Sequence, residues 1–189
     1  MNLKKAMSLP INMIIVVAIG FTLLILAIFW IKNFFGGLTK QTQDINRITS
    51  EAIDSLVVED PTAEFFLSKD QITIKLGQVE AIAYLIRNFD QSDNNFYMAI
   101  ECVSSDQDPD FSNNCNKKEW FLKYLRQRKI SAKGEYKDAL VITAPKGVKP
   151  GNYVFDLRIC KGSYNGNDIP NDCGNNDEYS IKTLILEVK

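Results

Sequence analysis

The chain has 189 residues, with 22 Lys+Arg against 23 Asp+Glu and a formal net charge of -1. That length holds one globular domain plus an accessory segment, and the charge balance excludes the basic field by which proteins gather nucleic acid. His is absent, which removes the commonest general base and the commonest metal ligand, so neither an enzymatic activity nor a cofactor is expected.

From Ala6 to Ile31 no charged residue occurs. At about 1.5 Å per residue such a helix exceeds the roughly 30 Å of a bilayer's hydrocarbon. Between Ile11 and Ile31 only Asn12, Gly20 and Thr22 interrupt the apolar surface, whereas a helix on a soluble core keeps a polar stripe. The run is longer than the apolar region of a secretory signal peptide and has no small-x-small cleavage site. A transmembrane helix is therefore predicted over residues 7–35, with Trp30, Phe34 and Phe35 as interfacial aromatics. Lys4 and Lys5 precede it while Lys32, Lys40 and Arg47 follow it, so basic residues alone do not set its orientation.

The stretch Lys5-Ala6-Met7-Ser8 ahead of an unbroken hydrophobic helix resembles the class III signal peptides of archaeal type IV pilin-like and archaellum-stator-like proteins. The resemblance implies cleavage between Ala6 and Met7 by a prepilin-peptidase-like enzyme, with residues 1–6 as leader and the helix retained. It also implies membership of a filament or of the cell envelope. Two positions depart from the pattern: Pro10 lies early in the helix, and Ile11 stands at the fifth mature position, where bacterial pilins commonly carry Glu. A plain signal anchor is the alternative reading of the same residues.

In NFFGG, residues 33–37, consecutive glycines at about 1 kcal/mol each predict a break or hinge. Beyond it Leu38, Ile45, Ile48, Ala52 and Leu56 recur on one helical face. This short amphipathic stalk, residues 36–61 and closed by VVEDP, either packs on its own domain or pairs with a second copy.

From residue 62 to residue 189 the period shifts toward two. DQITIKL, VEAIAYLIRN, NFYMAIEC, ALVITAP, NYVFDLRIC and EYSIKTLILEVK read as strands separated by turn-forming residues. At least six strands in such a length predict an all-β, immunoglobulin-like antiparallel sandwich. In VKPGNY, Tyr153 is placed as the corner tyrosine that enters the sixth strand. The segment EWFLKYLRQR, Glu119–Arg128, fits either a helix or an inserted edge strand.

Four cysteines lie in a near-repeat: FYMAIEC, the loop VSSDQDPDFSNN, then Cys115; and VFDLRIC, the loop KGSYNGNDIPND, then Cys173. Without His and at this spacing they match no zinc site. If the strands ending at Cys102 and Cys160 are antiparallel neighbours, those two ends lie too far apart for a bridge. The pairs are then Cys102–Cys115 and Cys160–Cys173, each worth about 3 kcal/mol on the chain-entropy model. Disulfides persist in oxidising compartments, which predicts a single-pass cell-membrane protein with its carboxy-terminal domain outside the cytoplasm. Four free thiols would instead place the domain inside.

Asp106, Asp108 and Asp110 alternate as in the opening of a calcium loop. Phe111 and Lys117, however, occupy the places of the turn glycine and the closing Glu. The loop 103–114 is thus a loose calcium candidate or a solvated acidic tip, and no other metal site is expected. Phosphate-loop, dinucleotide and nucleophile-elbow motifs are absent; a pair of facing carboxylates, as in a hydrolase, has no sequence signature. The expected function is that of a membrane-anchored structural or interaction protein, pilin-like or part of the envelope. The alternative is a receptor ectodomain that recognises a surface polymer or small ligand through its stapled loops. The expected partners are the lipid membrane, a second copy through the amino-terminal helix, and an envelope protein or polymer.

Overall fold

A computed structural model describes residues 11–56 and 60–189, with side chains inside the first helix described for residues 13–30 and 45–56. The expected cleavage position Ala6–Met7, the Leu38, Phe34 and Phe35 side chains, and residues 57–59 of VVEDP lie outside the described residues.

The first element is a helix, α1 (Ile11–Asp54), of 44 residues. It passes through Gly36 and Gly37 without the break the sequence suggested. A break would expose several unpaired N–H and C=O groups at each new helix end. Extending a helix that is already nucleated adds one hydrogen bond per residue, and that gain outweighs the two glycine penalties of about 1 kcal/mol each. The expected hinge and the stalk as far as Asp54 are therefore one continuous helix. The chain forms two compact units, residues 1–44 and 45–189. In the first, the window Met13–Trp30 has a mean hydropathy of 2.9 and is 0 % buried, long and apolar enough to cross a membrane. Its Thr22 hydroxyl donates to the Ala18 carbonyl at 2.7 Å, so the one hydroxyl in that window is satisfied within the helix.

In the second unit nine strands and two short helices follow among the described residues. In chain order these are β1 (Phe65–Leu67), β2 (Gln71–Ile74), β3 (Val79–Arg87), β4 (Asn94–Ser105), α2 (Phe111–Asn114), α3 (Lys117–Trp120), β5 (Phe121–Lys123), β6 (Arg128–Ile130), β7 (Glu135–Thr143), β8 (Gly151–Lys161) and β9 (Asp177–Val188). They make two sheets, ordered β1-β3-β7-β5 and β2-β9-β8-β4-β6. All pairs are antiparallel except β2 with β9, where Gln71 to Ile74 align in parallel with Ile185 to Val188. The all-antiparallel expectation is corrected at that edge: β2 leaves the first sheet's side of the sandwich and joins the second beside the carboxy-terminal strand.

Between the sheets lies the core, with Ile82, Tyr84 and Ile86 from β3, Phe96, Met98 and Ile100 from β4, and Tyr153, Phe155, Leu157 and Ile159 from β8. Each set occupies alternate positions, as half-buried strands require. Tyr153 closes the corner as expected, its hydroxyl donating to the Lys149 carbonyl at 2.7 Å. The ambiguous segment Glu119–Arg128 is neither one helix nor one strand. It ends α3 with buried Trp120, pairs as β5 on the first sheet, and crosses with Leu125 inward to reach β6 on the second.

Strands β3 and β7 break the simple alternation. Ala83, Leu85, Ala139 and Val141 point away from the core and are nevertheless 0 % exposed. The same unit contains the last turns of α1, where Ile45, Ile48, Ala52, Ile53 and Leu56 are half-buried and Thr49 is buried, while Arg47, Glu51 and Asp54 are exposed. Of the side chains offered as an oligomer stripe, Ile45, Ile48, Ala52 and Leu56 are half-buried, and that of Leu38 lies outside the described residues.

Candidate functional site

The two staples close where the topology requires. Cys102–Cys115 spans 6.3 Å and Cys160–Cys173 spans 5.3 Å between α carbons. β4 and β8 are antiparallel neighbours, with Cys102 opposite Phe155 and Cys160 opposite Tyr97. The similarity of the two sequence motifs nevertheless hides a difference of face. On β4 the even positions face inward, so Cys102 joins the main core; on β8 the odd positions do, and Cys160 falls on the outer face in a cluster with Tyr97, Ala99 and Cys173.

The first stapled loop accordingly folds over one pole of the sandwich. Its Phe111 is 4 % exposed and meets Trp120, Tyr153 and Phe155 at ring distances of 5.9, 5.1 and 5.5 Å. The second crosses the outer face of β4, where Tyr164 stacks on Tyr97 at 5.3 Å and the Tyr97 hydroxyl donates to the Cys173 carbonyl at 2.9 Å. It then reaches the edge of β4 beyond β6. There the Ile100 N–H donates to Pro170 O at 2.8 Å, and Ile169 enters the main core. Leu125 O accepts from the Met98 N–H at 2.9 Å, so an edge strand that would otherwise invite pairing is covered.

Lysines join the two loops. The Lys117 ammonium donates to the Ile169 carbonyl and to Asn171 Oδ1, and Lys118 pairs with Asp168. Burial pulls the Lys117 pKa below its ordinary value, against the opposing pull of Asp168, Asp172 and Glu101. Sequence reading found the staples but not this junction, because nothing in the spacing of Lys117 and Asn171 announces it.

At the first pole a cavity of about 530 Å³ opens between the stapled loop and the β7–β8 turn. Phe111, Trp120 and Tyr153 line it, together with Gln107, Asp108, Asn114, Asn116, Glu119 and Lys149. Its wall is held by Asp106, which accepts from the Asn152 N–H at 2.8 Å and from Asn152 Nδ2 at 3.1 Å. Gly151 is required there: a Cβ would come within 2.3 Å of Gln107 Cγ.

The three aspartates of the loose calcium candidate are turned to separate partners. Asp106 is drawn to β8 by Asn152, Asp108 Oδ1 caps its own turn by accepting from the Asp110 N–H at 3.0 Å, and the Asp110 carbonyl accepts from the Asn113 and Asn114 amides. Among the described residues no group of three or more His, Cys, Asp or Glu side chains is arranged to hold a metal.

A second polar centre, which the sequence did not announce, sits at the opposite pole. Asn88 is 1 % exposed and its Nδ2 donates to the carbonyls of Ser92, Ile130 and Ser131 at 2.8, 3.1 and 3.0 Å. On the outer face of the second sheet Arg158 bridges Glu178 and Glu101 at 2.6 and 2.7 Å, and those hydrogen bonds raise its pKa further.

No family model and no curated protein matches the chain. Solved structures share the sandwich at low identity. WR4, an MSP family member of C. elegans, is 10 % identical over 67 % of this chain and 99 % of its own, with a TM-score of 0.39. The PapD-like domain 7 of human CEP192 is 12 % identical over 71 % and 95 %, with a TM-score of 0.40. The Pseudomonas aeruginosa CupB2 chaperone is 8 % identical over 65 % and 55 %, with a TM-score of 0.37. These likenesses concern the sandwich alone.

Proposed function

We propose that the chain is a single-span membrane protein that displays an immunoglobulin-like sandwich outside the cytoplasm and serves there as a structural or interaction component of the cell envelope. One observation carries the reading: the window Met13–Trp30 is strongly apolar and 0 % buried among the described residues. At about 25 cal/mol per Å² such a surface is costly in water and at home in lipid. The two disulfides support an oxidising compartment for the domain, hence an amino end inside and a carboxy end outside.

The immunoglobulin-like assignment is supported by the neighbours of β3, β7, β4, β8 and β9, which are those of the corresponding strands of such domains, and by the Tyr153 corner. It departs in the connection between the sheets, where β5 joins the first sheet before β6 joins the second. The pilin-like part of the reading rests on Lys5-Ala6-Met7-Ser8: cleavage after Ala6 leaves a mature chain whose exposed apolar helix packs in lipid or against copies of itself.

Cell fractionation with alkaline extraction tests the anchor, and intact-mass analysis with thiol alkylation tests the rest. The expected outcome is a chain retained in the membrane, lacking residues 1–6 and blocked to alkylation until reduced. A chain washed free with Met1 in place and four reactive thiols would overturn the reading.

A further inference from the structure

We propose that the polar-rimmed cavity under the first staple binds a neutral polyhydroxylated ligand, a saccharide unit of a surface glycan. The inference deepens the interaction-module reading and rests on it.

The lining combines an apolar floor with a hydrogen-bonding rim. Phe111, Trp120 and Tyr153 are packed edge to face, Trp120 lying 4.8 Å from Tyr153, so they form a rigid floor rather than a free stacking platform. Tyr153 has its hydroxyl committed to Lys149 O. The Trp120 indole N–H, by contrast, donates to no protein acceptor among the described residues, and unlike the hydroxyl of Tyr84 it is not sealed from solvent. Buried indoles ordinarily find a partner. A donor left open on the wall of a cavity of ligand size is an invitation to an acceptor from outside.

The rim narrows the chemistry of that acceptor. Gln107 and Asn114 each offer a carbonyl and an NH₂ group, matching groups that both donate and accept, as vicinal hydroxyls do. Among the described residues that line the cavity the charged ones are Asp108, Glu119 and Lys149, so the site lacks the positive excess that would hold a phosphate or sulfate. Rigidity favours binding as well. The Cys102–Cys115 staple and the Asp106–Asn152 pair fix the loop on both sides, which reduces the ordering cost of association.

The test follows the indole proton itself. Full-length protein labelled with nitrogen-15 in nanodiscs is titrated with glucose, galactose, mannose, N-acetylglucosamine and their disaccharides, with Trp120→Phe used to assign the resonance. The expected result is a saturable shift of the Trp120 indole signal with at least one sugar. Gln107→Ala combined with Asn114→Ala, both at exposed positions, should weaken that affinity about tenfold while leaving the folded spectrum intact. No shift with any sugar, or a shift unchanged in the double variant, overturns the proposal. Either result leaves membrane retention untouched, so failure of the sugar site and failure of the anchor reading are distinguished.

Discussion

At the scale of single residues, Asn88 does more than its ordinary position after a strand suggests. Its amide ties the end of β3 to the Ser92 turn and to β6, and its Oδ1 accepts from the Asp90 N–H at 3.1 Å. Replacing it with Ala removes a donor from all three carbonyls, although Ser131 O keeps the Gly134 N–H and Ser92 O keeps Asn94 Nδ2, and Asn88→Ala is expected to lower stability by about 1–3 kcal/mol in urea unfolding. Asn88→Asp is expected to be worse above the carboxylate pKa range, because a carboxylate would then face three carbonyl oxygens. None of this was legible: an Asn at the end of VEAIAYLIRN reads as turn punctuation, and its role depends on carbonyls more than forty positions away. Tyr153 shows the opposite case, since its partner lies four residues upstream and the local sequence already contains the motif.

Strands and loops divide in the same way. Six strands were legible because each is long enough to display a period of two. β1, β5 and β6, at three residues each, are too short for any period and exist only by pairing with longer neighbours. The disulfide pairing was legible from strand direction, but the face each staple occupies was not, because it depends on parity within β4 and β8. That difference has a measurable effect. The second staple holds the segment that covers the β4 edge, so Cys160→Ala with Cys173→Ala should speed hydrogen exchange at the Ile100 amide. The Phe96 region, paired with β6, should stay protected. Removing the first staple should cost about 2–5 kcal/mol of stability with little effect on Ile100. Equal acceleration by both changes would show that the second loop does not guard the edge.

For the whole molecule, the acid limit is set by carboxylates spread over its surface. Hydrogen bonds from Thr62 lower the pKa of Asp60, Lys129 that of Asp93, Lys118 that of Asp168 and Thr73 that of Glu187. With folded values below the ordinary 3.8 of Asp and 4.5 of Glu, these groups bind fewer protons folded than unfolded. Their stabilisation is present above those values and is lost as the pH falls through the folded pKa of each. Thermal melts should therefore be flat near neutrality and fall progressively below about pH 4.5, with a shallower fall at high salt because the groups are exposed. The division into an apolar helix and a sandwich was legible from the change of period. The half-burial of the last turns of α1 was not, since an apolar stripe does not say whether its partner is inside or outside the chain.

The parallel pairing of β2 with β9 gives this architecture a mechanical property. β2 follows the helix and the three-residue β1 and is laced along its length to β9, with the Lys189 N–H closing on the Ile74 carbonyl at 3.0 Å. Under a load applied between the front and the tail of the polypeptide, those two strands are pulled past one another instead of peeling. Their cross-links must then rupture together, and the sandwich resists tension as a latch does, by shear.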